Sequence, residues 1–359
     1  MDIYSNGVIG MAKILIFSDL HLHNWSYGAT YEGPWNSRLL DQKKVGDQIV
    51  ALAQEHKCDV VVFCGDLFHT HGRVEAGPLK IASELFSNLR NENRKVFCLV
   101  GNHDLGRETN SVDWLRRQGV RVVDDFAIDL ELGLGFVAFA DNKPQLTQRL
   151  NALKEHKLKY WFLHQGVQSV PVGSDFVIPN EIFGPDDLPS DDVFYHAFTG
   201  HYHNHRRVGN ITTIGSPMQF NWSDHGEARG CIIVDTVWKD SYVFHKLKAP
   251  FFVELDGLLN ISPYPIGYDV KTVENAFVRI KDEVSITFME DIRKKLMEGG
   301  ARSVEFTFKK PLPTIGVVTE ETFDLDTLIK RYIKVNEVND TGVDILNSIR
   351  ENTYESNKT

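Results

Sequence analysis

Six short apolar runs organise the chain, and five of them stop abruptly on a cluster of carboxylate, imidazole or carboxamide side chains. The runs are 14–17, 60–63, 96–100, 136–139, 160–163 and 196–199. Unbroken apolar stretches of this length suit strands buried on both faces rather than one. Between them, segments 38–55 and 78–93 carry apolar residues at helical spacing: Leu39, Leu40, Val45, Ile49 and Leu52, then Leu79, Ile81, Leu85, Phe86 and Leu89. Strands alternating with amphipathic helices predict a layered α/β fold.

The pattern changes after about residue 208. Segments 211–214, 230–235 and 241–246 read as antiparallel strands closing a first domain, and Lys248-Ala249-Pro250 marks its boundary. Residues 251–312 read as a small α+β unit, with strands at 277–280 and 304–308 and an amphipathic helix at 287–297 stopped by Gly299-Gly300. A helix is expected at 325–333 in the charged tail, with fraying at 351–359. The expected division of the 359 residues is an N-terminal extension 1–11, a first domain 12–249, a small α+β domain 250–318 and a tail 319–359. Residues 1–10, ahead of Met11, have no expected part in the core.

Composition narrows the function classes. With 42% hydrophobic residues the chain can fill a substantial core, which excludes general disorder. No apolar run approaches the ~18 residues of a membrane span, and the first residues lack the basic start and apolar centre of a secretory signal. A soluble, cytoplasmic protein without membrane contact is expected. Cys58, Cys64, Cys98 and Cys231 form no CxxC pair, and three of them sit in apolar runs, where they are read as small buried hydrophobes. The net charge of −10 is wrong for a protein that grips phosphates by bulk charge. A nucleic-acid role would need a local basic patch or bound cations.

The chemistry lies in the clusters that end the runs: Ser18-Asp19-Leu20-His21, Gly65-Asp66-Leu67-Phe68-His69, Gly101-Asn102-His103-Asp104, His164 and Gly200-His201-Tyr202-His203. Strand carboxyl ends share an edge of an α/β sheet, so these residues are expected to converge there. Oxygen and nitrogen donors without thiolate suit two divalent cations such as Mn²⁺, Mg²⁺, Fe²⁺ or Zn²⁺. Alternation along extended chain would put Asp19 and His21 on one side, and likewise His201 and His203. Glycines 65, 101 and 200 would allow turns that aim the next side chain. Asp66 is the natural bridge, since a carboxylate can bind two cations at once.

In order, Asp19-x-His21, Gly65-Asp66, Gly101-Asn102-His103-Asp104, His164 and Gly200-His201-x-His203 resemble the calcineurin-like metallophosphoesterase signature over roughly residues 13–245. Within that superfamily the chain is most similar to SbcD-type DNA nuclease subunits of SbcCD complexes. That similarity runs through Gly65-Asp66-Leu67-Phe68-His69, Gly101-Asn102-His103-Asp104, Gly215-Ser216-Pro217-Met218-Gln219 and the unit beyond residue 250. The resemblance implies an α/β metallophosphoesterase sandwich, two sheets flanked by helices, with a smaller α+β C-terminal domain. It implies one cation held by Asp19, His21, Asp66 and His203, and another by Asp66, Asn102, His164 and His201. His103 would face the scissile phosphate, with Asp104 hydrogen-bonded to its far nitrogen. His69 would contact the phosphate or position the DNA backbone. Also implied are Mn²⁺ as the activating ion, DNA as substrate, an SbcC-type coiled-coil ATPase as partner, a homodimer, and a role in DNA repair or recombination. The alternatives are a phosphomonoesterase or cyclic-nucleotide phosphodiesterase on the same site, and a non-catalytic scaffold. A scaffold would be marked by a missing ligand or a missing His103, and neither is missing.

Other features have plainer readings. His23, His56, His71, His156, His196, His205, His225 and His245 are expected to be structural, with His71 and His205 nearest the site loops. The aromatic stretch 25–35 could stack on a base, but a packing plug is favoured. Arg206 and Arg207 either hold a phosphate or end a solvated hairpin, and Arg73 and Arg107 share that ambiguity. Lys294, Lys295, Lys309 and Lys310 are read as solubilising surface. The helix at 325–333 would dock on the ATPase or pack on its own domain.

Overall fold

The structure is a computed structural model that describes residues 11–90, 94–172, 176–238, 242–255, 273–281 and 286–307. The extension 1–10, Lys309, Lys310, the helix expected at 325–333 and the fraying expected at 351–359 lie outside the described residues.

The chain begins with β1 (Lys13–Phe17), the short pair β2 (Tyr31–Glu32) and β3 (Trp35–Asn36), α1 (Ser37–Glu55), β4 (Val60–Phe63), α2 (Ala76–Leu89) and β5 (Lys95–Leu99). Next come β6 (Arg121–Val123), β7 (Phe126–Asp129), β8 (Leu134–Val137), α3 (Lys143–Lys154), β9 (Tyr160–His164), the short pair β10 (Pro171–Val172) and β11 (Phe176–Val177), and β12 (His196–Gly200). The hairpin β13 (Arg206–Val208) and β14 (Ile211–Thr213) leads to β15 (Gly230–Asp235) and β16 (Tyr242–Lys246). Last are β17 (Phe251–Leu255), β18 (Ala276–Ile280), α4 (Ile286–Glu298) and β19 (Ser303–Phe306).

Two six-stranded sheets result, in the orders β16-β15-β1-β4-β5-β6 and β13-β14-β12-β9-β8-β7. In the first, β1, β4, β5 and β6 run parallel, and β15 and β16 are antiparallel. In the second, β8, β9, β12 and β14 run parallel between the antiparallel edges β7 and β13. Ile14, Ile16, Val60, Val62, Phe97 and Leu99 of the first sheet pack against Phe136, Tyr160, Phe162 and Phe198 of the second. The opposite faces meet α1 and α2 on one side and α3 on the other. Both faces of each sheet are thus covered, which is why the strands are unbroken apolar runs. The expected α/β sandwich of two sheets flanked by helices is the observed one.

Local signals account for the helix starts. Asn36 caps α1 by accepting from the amides of Arg38 and Leu39, and Asn142 caps α3, with Pro144 in its first turn. The run expected as a strand at 136–139 pairs at 134–137 instead. Ala138 and Phe139 leave the ladder to donate to the carbonyls of Asp125 and Val100.

Beyond residue 250, β17, β18 and β19 form a third, parallel sheet with α4 on it. This sheet belongs to the same compact unit as the two large ones. Phe252 N–H donates to Gln219 Oε1 at 2.7 Å, Tyr27 O–H to Glu305 at 2.8 Å, and Arg302 pairs with Asp41 at 2.8 Å. The Arg38 guanidinium lies 4.5 Å from the Phe277 ring. All four cysteines are buried and free. Among the described residues, no helix is long and apolar enough to cross a membrane.

Phe162 is wholly buried between the sheets, stacked on Phe136 at 5.3 Å and Phe198 at 6.0 Å. Phe162→Ala is expected to cost about 3–5 kcal/mol through lost transfer energy and the cavity left behind, read as a lowered urea midpoint.

Candidate metal centre

Five loops converge, but from two sheets rather than one edge. The ends of β1, β4 and β5 supply Asp19, His21, Asp66 and Asn102, and the ends of β9 and β12 supply His164, His201 and His203. The two sets are bonded across the gap. His164 Nδ1 lies 2.5 Å from the Cys64 carbonyl, and His201 N–H donates to Asp19 at 3.1 Å. Within the first sheet the amides of Asp19 and His21 donate to the carbonyls of Gly65 and Asp66, so two ligand loops run side by side.

The backbone here is not extended, contrary to the alternation expected for Asp19-x-His21. Asp19, His21, Asp66 and His201 have φ of 53°, 43°, 62° and 92°, in the left-handed region. Each such non-glycine residue stores about 1–3 kcal/mol of strain. Four at one cluster show that the fold aims these side chains at a local cost. Of the three glycines expected to provide turns, Gly65 has a positive φ of 94°, and a Cβ there would stand 2.5 Å from His164 Nδ1. Gly101 and Gly200 serve close approach instead: a Cβ on Gly101 would meet the Asp66 carboxylate.

Asp66 faces both ways. Its Oδ2 lies 3.7 Å from His21 Nε2 and its Oδ1 lies 3.4 Å from His164 Nε2. Around the first oxygen, Asp19, His21 and His203 bring donor atoms within 4.8 Å of one another. Around the second, Asn102 Oδ1 is 3.0 Å from His164 Nε2 and 2.8 Å from His201 Nδ1. Asp19, Asp66, His21 and His164 are almost wholly buried.

The donor set fits cations. The His164 Nδ1 proton is committed to the Cys64 carbonyl, so the lone pair of neutral Nε2 points at the acceptor oxygens of Asn102 and Asp66. A proton or a cation on Nε2 relieves that opposition at both oxygens. His21 Nδ1 is buried with no protein partner. Burial, with the neighbouring Asp66 charge, pushes the Asp19 carboxyl up to about 6. Burial disfavours both charges of the Asp66–His164 pair, yet mutual attraction prevails, holding the carboxyl low and the imidazole high. Burial, then the neighbouring imidazole of His164, pushes His201 down to about 4, which leaves its nitrogen free to ligate. The residues present could therefore hold two divalent cations, with Asp66 between them.

His103 stands beside this centre. Its ring stacks on His71 at 4.3 Å and meets His21 edge-on at 4.7 Å. The ring is oriented by the His69 main chain: Nδ1 donates to that carbonyl at 2.6 Å. Asp104, expected on the far nitrogen of His103, does not play that part. Its buried carboxylate accepts from the amides of Asp66, Leu67 and Gly101 at 2.9, 3.0 and 3.0 Å, bracing two ligand loops against each other. The His69 ring packs on Trp25 at 4.4 Å, and burial together with the surrounding imidazoles pushes it down to about 4. His21, His69 and His103 nevertheless bring ring nitrogens within 4.8 Å of one another.

Trp25 stacks on Phe220 and Tyr27 packs on Phe252, so this end of the aromatic stretch is the favoured plug. Arg206 pairs with Glu227, and Arg207 bonds the Gly209 carbonyl and lies over Tyr242, so both serve the hairpin. Arg73 and Arg107 are exposed and line one cleft with His71. His205 stacks on Phe244 away from the cluster. Sequence reasoning missed Asp224, which meets His203 Nδ1 at 3.0 Å. It ends no apolar run and lies five residues past the Gly215–Gln219 segment, outside every ligand cluster, so no spacing signal marks it.

The family model described as calcineurin-like phosphoesterase matches residues 12–220. The chain is 22% identical over 331 residues to the SbcD subunit of the nuclease SbcCD of Bacillus subtilis (strain 168), covering 77% of this chain and 82% of that one. It is 32% identical over 217 residues to the DNA double-strand break repair protein Mre11 of Archaeoglobus fulgidus, covering 53% of this chain and 46% of that one. Among solved structures it is similar to the calcineurin-like phosphoesterase YfkN from Bacillus subtilis, at 12% identity and a TM-score of 0.37, covering 66% of this chain and 89% of that one. With the motifs in order and the family model matching more than half its length, the chain belongs to the calcineurin-like phosphoesterases.

Proposed function

We propose that this protein is a divalent-metal-dependent DNA nuclease that hydrolyses phosphodiester bonds. In this reading it is the nuclease subunit of a cytoplasmic SbcCD-like repair and recombination complex, partnered by a coiled-coil ATPase and assembled as a homodimer. Asp19, His21, Asp66 and His203 hold one cation, and Asp66, Asn102, His164 and His201 hold the other. The nitrogen-rich donor set favours Mn²⁺ over Mg²⁺. Bound there, the cations supply an activated water and neutralise charge on the phosphoryl oxygens. His103, with Nδ1 fixed on the His69 carbonyl, delivers a proton to the leaving oxygen from Nε2 of its imidazolium form and is left neutral.

The observation that carries DNA over a small phosphomonoester is the cleft next to His103. Small-molecule sites are concave, mostly apolar clefts that bury most of their ligand. This cleft, about 700 Å³, is open rather than enclosing, and its lining carries His71, Arg73, Arg107 and Asn110 with one carboxylate, Glu108. Two guanidiniums beside an open cleft suit a chain of phosphates and offset the net charge of −10 locally. The names of the two relatives, a nuclease subunit and a double-strand break repair protein, point the same way.

The test is a substrate panel with Mn²⁺: linear DNA, bis(p-nitrophenyl) phosphate and p-nitrophenyl phosphate. Cleavage of DNA and the diester is expected, whereas turnover of the monoester alone would overturn the reading in favour of a phosphomonoesterase. In the double variant Arg73→Ala/Arg107→Ala, the salt slope of DNA binding should fall by about 2, roughly one per phosphate contact. Diester turnover should be unchanged. Co-purification with a large coiled-coil ATPase tests the assembly.

A further inference from the structure

Asp224 lies outside every motif that supplies the candidate ligands, in a turn that follows the Gly215–Gln219 segment, yet it is 2% exposed and ionically tied to the centre. We propose that Asp224 is a positioning residue that fixes the tautomer and direction of His203, with Arg229 as its buried counter-charge. The inference rests on the reading of the centre as a cation site. Asp224 Oδ1 takes His203 Nδ1 at 3.0 Å, and Oδ2 accepts the Phe220 amide at 2.8 Å. A carboxylate only accepts, so Nδ1 carries the proton and the Nε2 lone pair is left for the centre.

Arg229 completes the arrangement. Its Nη2 reaches Asp224 Oδ1 at 3.2 Å, the Asp224 carbonyl at 3.0 Å and Asn204 Oδ1 at 3.3 Å, while Nη1 reaches Ser216 Oγ at 3.3 Å. An unpaired carboxylate at this depth would be costly. With Arg229 present, the carboxylate stays compensated when His203 gives its lone pair to a cation. Ser216 Oγ donates in turn to the Met218 carbonyl at 2.9 Å. The Gly-Ser-Pro-Met-Gln segment thus acts on His203 through Arg229 and Asp224.

Asp224→Asn tests the idea. Asparagine can still accept the Phe220 amide, but it turns an NH₂ group toward His203, so Nδ1 must accept and the proton moves to Nε2. Two measurements on the full chain read this. Titration calorimetry with Mn²⁺ is expected to show one of two sites weakened by about 10–100-fold, with turnover recovered at high Mn²⁺. Long-range ¹⁵N–¹H correlation of the metal-free protein at alkaline pH should show His203 protonated at Nδ1 in the wild type and at Nε2 in the variant. Equal Mn²⁺ affinity in the two proteins would overturn the proposal while leaving the centre intact. A wild-type His203 protonated at Nε2 would overturn it even if the variant failed to fold. No Mn²⁺ uptake by the wild type would instead remove the reading on which it rests.

Discussion

Asp66→Ala is expected to reduce cation uptake from two equivalents to one or none and to slow phosphodiester cleavage by about 10³-fold or more, several kcal/mol of lost transition-state stabilisation. The size follows from geometry. Asp66 Oδ2 faces His21 at 3.7 Å while Oδ1 faces His164 at 3.4 Å, so a single truncation strips both poles. Without the carboxylate, the remaining charges no longer match. Of the candidate ligands, Asp19 is left as the carboxylate near His164 and His203, and the His103 amide loses its acceptor. Elemental analysis and Mn²⁺ calorimetry read the stoichiometry. Thermal melting provides an independent check: ligand binding to the native state raises stability by about 2.7 kcal/mol at 100 times the dissociation constant. The wild type should therefore melt higher with Mn²⁺ than without, and the variant should gain less or nothing. Unchanged cleavage in the variant would refute the two-cation reading.

The sequence exposed the strands and the ligand types more fully than it exposed the loops between them. Unbroken apolar runs report burial on both faces, so β1, β4, β5, β9 and β12 could be placed to within a residue or two. Polar residues at their ends report a shared rim. What local spacing cannot report is the backbone region each rim residue adopts. Asp19-x-His21 looks like extended alternation, yet both residues are left-handed, held there by bonds to Gly65 and Asp66 from another loop. Asp104 illustrates the same limit. Beside His103 in the chain, it looks like that residue's partner, but its carboxylate turns to three main-chain amides, two of them from the Asp66 loop. The Asp224–Arg229 pair was invisible because its meaning depends on where His203 ends up. Helix α3 is absent from the segments read as helical, although Leu146, Leu150 and Leu153 behind Asn142-Lys143-Pro144 carry a signal for it. The polar residues among them weakened it.

His103→Asn should separate binding from chemistry. The cation stoichiometry and DNA affinity are expected to stay at wild-type values, while cleavage falls by about 10²–10⁴-fold, the usual contribution of a positioned general acid. The metal centre should survive because the bond that ties residue 103 to it is made by the main chain: the His103 amide donates to Asp66 Oδ1 at 2.9 Å, whatever side chain follows. What the substitution removes is the ring held between His71 and the His69 carbonyl. Asparagine is too short to reach the leaving oxygen and has no proton to give at neutral pH. Single-turnover cleavage, with Mn²⁺ calorimetry and DNA titration on the same preparation, reads all three quantities. The structure also defines the contrary result. His21, His69 and His103 bring ring nitrogens within 4.8 Å of one another, a set that could itself hold an ion. Loss of one cation equivalent in His103→Asn would place His103 among the ligands, and proton delivery to the leaving oxygen would then fall to another group at the same rim.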